Sequence, residues 1–548
     1  MKSLILALLV GTIFLVFPFG GKAVQGDDSL KLYLPSEGEK GKVVKDKGGN
    51  GNDETMRLAL NQKDTGYRGI WYYNQPSGDE YVYKYSGGLG TYCAKHRPFA
   101  VYRPEVDKTF FCYGGTPLDA HRKHTVEDLN GDRPFSRERD GFLLHMISYF
   151  DHKTGQVPRP TILLDKNTAD AHDNPVISID DDGYIWIFST SHGLSRPSYI
   201  HRSNEPYNID IFEQIDVTYL LNGVERPMDN FSYMQAWQLP NHGFINFVTR
   251  YKDPSDRTLF FITSPDGTKW SEWTRLAAIE KGHYQISTCS AQKAVTAFNY
   301  HPNPKGLNWR TNLYYLETPD FGHTWQNAAG KKVDVPLTIP DNNALVHDYA
   351  AEGLKVYLKD IRLDPNGNPV ILVITSEGYE SGPENNPRTW TLLRWIGNDW
   401  NIRPITTSDS NYDMGSLYLE TDGTYRIIAP TETGPQAYNP GGEMAMWESH
   451  DHGNTWNCVK QLTQNSERNH TYARSPINAH SDFYALWADG NARQASRSCL
   501  YFCDKQGNVY QLPEGMDSDF AKPMLINPDW SADYSKDYRL FLCKNQCL

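Results

Sequence analysis

Two histidines frame one short stretch of the chain. In DAHDNPVISIDDDGYIWIFSTSHG, which begins at Asp170, His172 precedes one apolar run and His192 follows the next. If the two runs pair as a hairpin, both imidazoles end at the same edge, where they could exchange protons near neutral pH. The stretch FSYMQAWQLPNHGFINFVTRY repeats the arrangement, with Tyr233 before the first run and Arg250 ending the second. A third unit offers Tyr284 in GHYQIS and His301 in FNYHP. Singly, each residue has a structural reading as a cap, a rim aromatic or a surface ion pair. Repetition of one geometry in consecutive units favours convergence on a common site.

A His/His/Tyr/Arg set suits β-elimination at a uronic acid. An arginine can neutralise the carboxylate and so acidify the C5 proton. A tyrosine or histidine can remove that proton, and either can protonate the leaving O4. Ordinary glycoside hydrolysis needs two carboxylates. No isolated pair stands out, and Asp173, Asp320 and Asp451 read as turn residues. A further region, KYSGGLGTYCAKHRPFAVY, carries His96 beside Arg97 behind a Gly pair that lets backbone approach a ligand. Its plainer reading is a loop histidine with a backbone partner. The chain has no P-loop, HExxH or GxSxG motif.

The elements that must hold these residues are strands. Turn signals followed by alternating apolar runs recur at Gly183, Gly243, Gly306, Gly367 and Gly423, in steps of 60, 63, 61 and 56 residues. Further units fit near residues 100 and 480. About seven units result, each long enough for a four-stranded blade, which predicts an all-β, seven-bladed β-propeller. A pair of β-sandwiches is the alternative, but a fixed period favours radial repetition. The segments from Thr318 to Trp325 and from Ser449 to Trp456 share the Asp-box pattern S/T-x-D-x-G-x-T-W, with a degenerate copy from Ser264. Its Asp can bind turn N–H groups while its Gly takes positive φ and its Trp packs beneath. These boxes resemble those of sialidase-type propellers and specify scaffold, not catalysis.

The chain has 548 residues and a net charge of −12, which argues against nucleic acid as a partner. Its 34 Tyr and 14 Trp suit stacking on sugar rings. Residues 1–26 read as a signal peptide: Lys2, an apolar run over 4–19, then small residues at Gly20, Gly21 and Ala23. Residues 27–60 read as a flexible linker, and 61–548 as a single propeller domain with a C-terminal extension. The expected location is secreted or periplasmic, with no membrane association after cleavage. Eight cysteines permit disulfides in an exported chain. No organic cofactor is expected; a structural calcium or zinc ion is a candidate. Asp180, Asp181 and Asp182 could bind calcium but read better as a hairpin tip. His301, His470, His480 and Cys289 could hold zinc, though their spacing gives no specific support.

GYRGIWY, YSGGLGTY…H, DAHDNPVISIDDDGYIWIF and the Tyr233…Arg250 hairpin resemble the BNR-repeat seven-bladed propellers that include ulvan lyases. The likeness covers residues 66 to about 490. It implies β-elimination on uronate-linked, rhamnose-rich anionic polysaccharide or oligosaccharide. It also implies His172, His192, Tyr233 and Arg250 as the catalytic set, with Arg250 the carboxylate neutraliser and Tyr233 with His172 the acid/base pair. A second family tyrosine maps onto Tyr284. The same fold group holds α-L-rhamnosidases, whose histidine on the opposite face maps onto His96, and oligosaccharide dehydratases that eliminate water from a terminal uronate. A glycan-binding propeller without catalysis is the non-enzymatic alternative.

Overall fold

The computed structural model describes residues 59–118, 142–193 and 196–527. The signal peptide and almost all of the linker therefore lie outside the described residues, as do Cys543 and Cys547. The described residues, from Ala59 onward, belong to one compact unit.

Period-two patterning gives antiparallel strands throughout. Pro175–Ile179, Ile185–Ser189, Tyr199–Ser203 and Phe212–Gln214 form one meander, with the first strand innermost and Phe212–Gln214 outermost. The corresponding inner strands Ala100–Arg103, Ser232–Leu239, Gln285–Cys289, Lys355–Leu363, Ser416–Leu419 and Asn469–Arg474 each open a further sheet. Successive sheets pack against each other. The ring closes where Val101 bridges Ile477 in parallel and Phe520–Ala521 pairs with Val157–Pro158. The fold is thus an all-β propeller.

Among the described residues, seven sheets have four or five strands, one has three, and two have two. Sheets of three strands or more therefore number eight, one beyond the seven units that the period predicts. The extra one contains the hairpin Thr218–Leu221 and Val224–Pro227, which lies between two glycine-marked units and pairs with Lys269–Trp270. Its turn falls outside the period of about 60, so the repeat pattern does not reveal it.

The core is divided into slabs between sheets. Val176, Trp186 and Phe188 pack against Ala236, Phe244 and Phe260 of the next sheet. Phe247 and Phe261 pack in turn against Phe298 and Tyr314. The box turns hold the outer edges. Asp320 Oδ1 accepts from Thr324 N at 2.8 Å, Gly322 has φ 98°, and Trp325 is buried beneath. Asp451 does the same for Thr455 N at 2.9 Å. Asp180 also behaves as a turn residue, accepting from Tyr184 N at 2.8 Å. Cys93, Cys112, Cys289, Cys458, Cys499 and Cys503 are free thiols, so the disulfides that an even count permits do not form among the described residues.

Candidate active site

Loops entering the inner strands meet at one end of the channel. There they line an open cleft of about 650 Å³. Its walls include His172, His192, Tyr233 and Tyr284, four of the residues singled out by spacing.

His172 sits in a 3-10 turn, Ala171–Asp173, immediately before the strand Pro175–Ile179. His192 follows the strand Ile185–Ser189, and Ser189 pairs with Pro175. The hairpin therefore delivers both rings to one edge, stacked with centroids 4.0 Å apart. Asp170 joins them: Oδ1 accepts from His172 Nδ1 at 2.6 Å and Oδ2 from His192 Nδ1 at 2.9 Å. The two imidazoles hold the Asp170 carboxyl well below its ordinary range against the opposing effect of burial. An ionised Asp170 fixes the Nδ1–H tautomer of both rings and leaves each Nε2 as an acceptor. His172 Nε2 is taken by the hydroxyls of Tyr85 at 2.7 Å and Tyr92 at 2.8 Å. Burial, aided by His192, pushes the His172 ring down to about 4, so it is neutral at physiological pH. His192 is the more open of the two, with 26% of its side chain exposed. Its Nε2 is the ring nitrogen available to a ligand.

Tyr233 lies on the inner strand Ser232–Leu239, where the pairing register shifts between Ser232 and Gln235. The bulge puts Tyr233 at φ 51° and turns it into the channel. Its ring stands perpendicular to Tyr284 at 5.5 Å and 6.2 Å from His192. Burial, with Tyr251 and Tyr284 adding to it and Arg257 opposing, holds the Tyr233 phenol well above its ordinary value. It therefore carries its proton. Two other pocket residues, Lys359 and Tyr472, lie at similar inner-strand bulges.

The arginine expected from the hairpin spacing is elsewhere. Arg250 does not line the cleft; it makes two 3.0 Å bonds to Asp229 and one of 3.3 Å to Asp253, over the Trp273 ring. Arg257 and Arg310 line the cleft instead. The Arg257 guanidinium lies 5.2 Å from the Tyr251 ring centre, and that of Arg310 lies 4.8 Å from Tyr284. Both precede the third strand of their sheets, Thr258–Ser264 and Thr311–Thr318. That strand starts at the edge where the second ends, so its leading residue shares the mouth of the channel. A repeated Arg-Thr dipeptide at 257, 310 and 388 marks the position in the sequence. Arg388 bonds the backbone carbonyls of Gly382 and Glu380 and does not line the cleft.

Lys84, Lys95 and Lys359 complete a basic lining with no Asp or Glu among the described lining residues, and burial holds Lys359 well below its ordinary value. Burial lowers Lys95 to about 7 and Lys84 to about 8. His96, expected on the opposite face, is fully buried 5.8 Å from Tyr233, and neither ring nitrogen has a partner. Burial holds it well below its ordinary value and closes it to a substrate. The suggested zinc set does not assemble: His301 is buried against Tyr284, and His470 accepts from Trp487 Nε1 at 3.0 Å.

Residues 146–408 match the BNR repeat-containing family pattern. An ulvan lyase of Nonlabens ulvanivorans is 24% identical over 350 residues, 59% of this chain and 72% of that protein. An ulvan lyase of the PL25 type from Pseudoalteromonas sp. (strain PLSV) is 22% identical over 352 residues, 56% of this chain and 68% of that one. Among solved structures, a PL25 ulvan lyase bound to a GlcA–Rha3S unit superposes with a TM-score of 0.59 at 16% identity. The match covers 81% of this chain and 96% of that one. This structural likeness shows the propeller fold.

Proposed function

We propose that this protein is a carbon–oxygen lyase that cleaves uronate- and rhamnose-containing, ulvan-like polysaccharide by β-elimination. The observation that carries the reading is a cleft holding a neutral His172 stacked on His192, a protonated tyrosine, two arginines and three lysines, with no carboxylate among its described lining residues. That set matches an anionic substrate and lacks the two acids of hydrolysis. Similarity to ulvan lyases points the same way.

In this reading Arg257 and Arg310 hold the C6 carboxylate and offset charge developing at C5. His192 Nε2 takes the C5 proton. The electron pair forms C4=C5, the C4–O4 bond breaks, and the Tyr233 hydroxyl protonates O4. Asp170 keeps His192 in the accepting tautomer, and His172 packs behind it. In this reading the chain is also exported.

The test is incubation with ulvan, read by ultraviolet absorbance of the new double bond and by mass spectrometry. Chain fragments carrying an unsaturated uronate are expected. Saturated fragments with water added across the cut would refute elimination. Loss of one water from an intact oligosaccharide would reassign the protein as a dehydratase.

A further inference from the structure

A second cluster of ligating groups lies where the ring closes. His152 follows the strand Leu144–Asp151 of the first sheet, while His480 and Asp482 precede the strand Ala485–Gly490 of the last. One ligand atom from each lies within 4.8 Å of the other two. The imidazole centroids are 3.9 Å apart. The cluster is at the end of the molecule away from the cleft. Lys95, ahead of the strand Ala100–Arg103, lines the cleft, whereas Tyr102 near that strand's far end packs 4.9 Å from His480.

His152 is oriented as a ligand should be. Its Nε2 meets Thr109 Oγ1 at 2.8 Å, and its Nδ1 is buried with no partner. With the Nε2 proton given to Thr109, Nδ1 keeps a free lone pair, the outer-contact arrangement that orients metal-bound histidines. An unpaired buried ring nitrogen is costly unless something satisfies it. His480 Nδ1 accepts from Asp482 N at 3.2 Å and lies 3.9 Å from Asp482 Oδ2, and rotation of the exposed Asp482 side chain can bring its carboxylate to a bound ion.

We propose that His152, His480 and Asp482 bind a divalent transition-metal ion, zinc being the probe, that clamps the first sheet to the last. Two imidazoles and one carboxylate, with water in a fourth position, fit a tetrahedral zinc site. The neighbouring closure contacts are those of the Phe483 ring with Phe111 and Phe150 of the first sheet. A metal bound here ties together parts of the chain more than 300 residues apart.

The full chain is stripped with chelator, titrated with zinc, desalted, and assayed for bound metal and thermal unfolding, alongside His480→Ala and Asp482→Asn. The wild type is expected to retain one zinc more per chain than His480→Ala and to show a zinc-dependent rise in Tm that His480→Ala loses. Elimination by metal-free Asp482→Asn is expected within about 2-fold of the metal-free wild type, because the site is remote from the cleft. Equal zinc content in wild type and His480→Ala, or an equal zinc-dependent rise in Tm, would overturn the proposal. If His480→Ala fails to fold, the comparison rests on Asp482→Asn, which alters an exposed side chain and is expected to weaken zinc binding at least 10-fold. Unchanged zinc affinity in Asp482→Asn would likewise overturn it.

Discussion

At the scale of residues, the cleft depends on which arginine faces it. Arg250 is saturated by Asp229 and Asp253, whereas Arg257 stands among tyrosines in the lining. Arg257→Ala is expected to lower kcat/KM on ulvan by roughly 100-fold or more, the usual cost of removing a donor aimed at developing charge. Arg250→Ala should stay within about 3-fold, since its loss disturbs an outlying ion pair. Steady-state rates of the two variants check the ranking. The lysines add a pH dependence. Lys95 and Lys84, lowered by burial to about 7 and about 8, lose their protons as pH rises through those values. KM for the anionic substrate should therefore climb between pH 7 and 9, measured as initial rates across substrate concentration.

Among elements, the hairpin edges and inner-strand bulges position the site. The hairpin logic was legible: His172 and His192 do share an edge, and Tyr233 enters the same channel. Tyr284 joins them. The bulge at Tyr233 was not legible, because a register shift leaves no mark in apolar alternation. The third-strand arginines were legible in principle through their repeated Arg-Thr dipeptide. One contact makes this level testable. Gly282 has φ 121° and bridges Arg257, and a Cβ there would lie 2.4 Å from the Arg257 carbonyl oxygen. Gly282→Ala is expected to cost about 1–3 kcal/mol through backbone strain. It should also displace Arg257, so a lower midpoint in denaturant together with reduced turnover checks the link.

For the whole molecule, buried neutral histidines set an acid limit. Burial lowers His201 and His283 to about 4, and both are remote from catalysis in this reading. Their folded values lie below the ordinary 6.5, so the unfolded chain binds more protons between those limits. Their contribution is fully present above pH 6.5 and is lost as pH falls toward 4. At pH 5 each such ring costs about 2 kcal/mol of stability relative to neutral pH. Denaturant midpoints should fall steadily over that window. His201→Gln and His283→Gln should each flatten the slope, whatever they do to the stability itself.

The sequence by itself determined the repeat, the all-β propeller, the turn residues and the edge at which the histidines meet. These follow from local chemistry: alternation, turn preference and the antiparallel return of a hairpin. Only the tertiary structure decided that Arg257 and Arg310 face the cleft while Arg250 turns away. It also decided that His96 is sealed inside and that a three-stranded sheet is added to the ring. Successive side chains on a strand point to opposite faces, so a bulge or a one-residue offset reverses what a position presents. Contacts such as that of His152 with His480 join the two ends of the array, and no spacing within a single repeat encodes them.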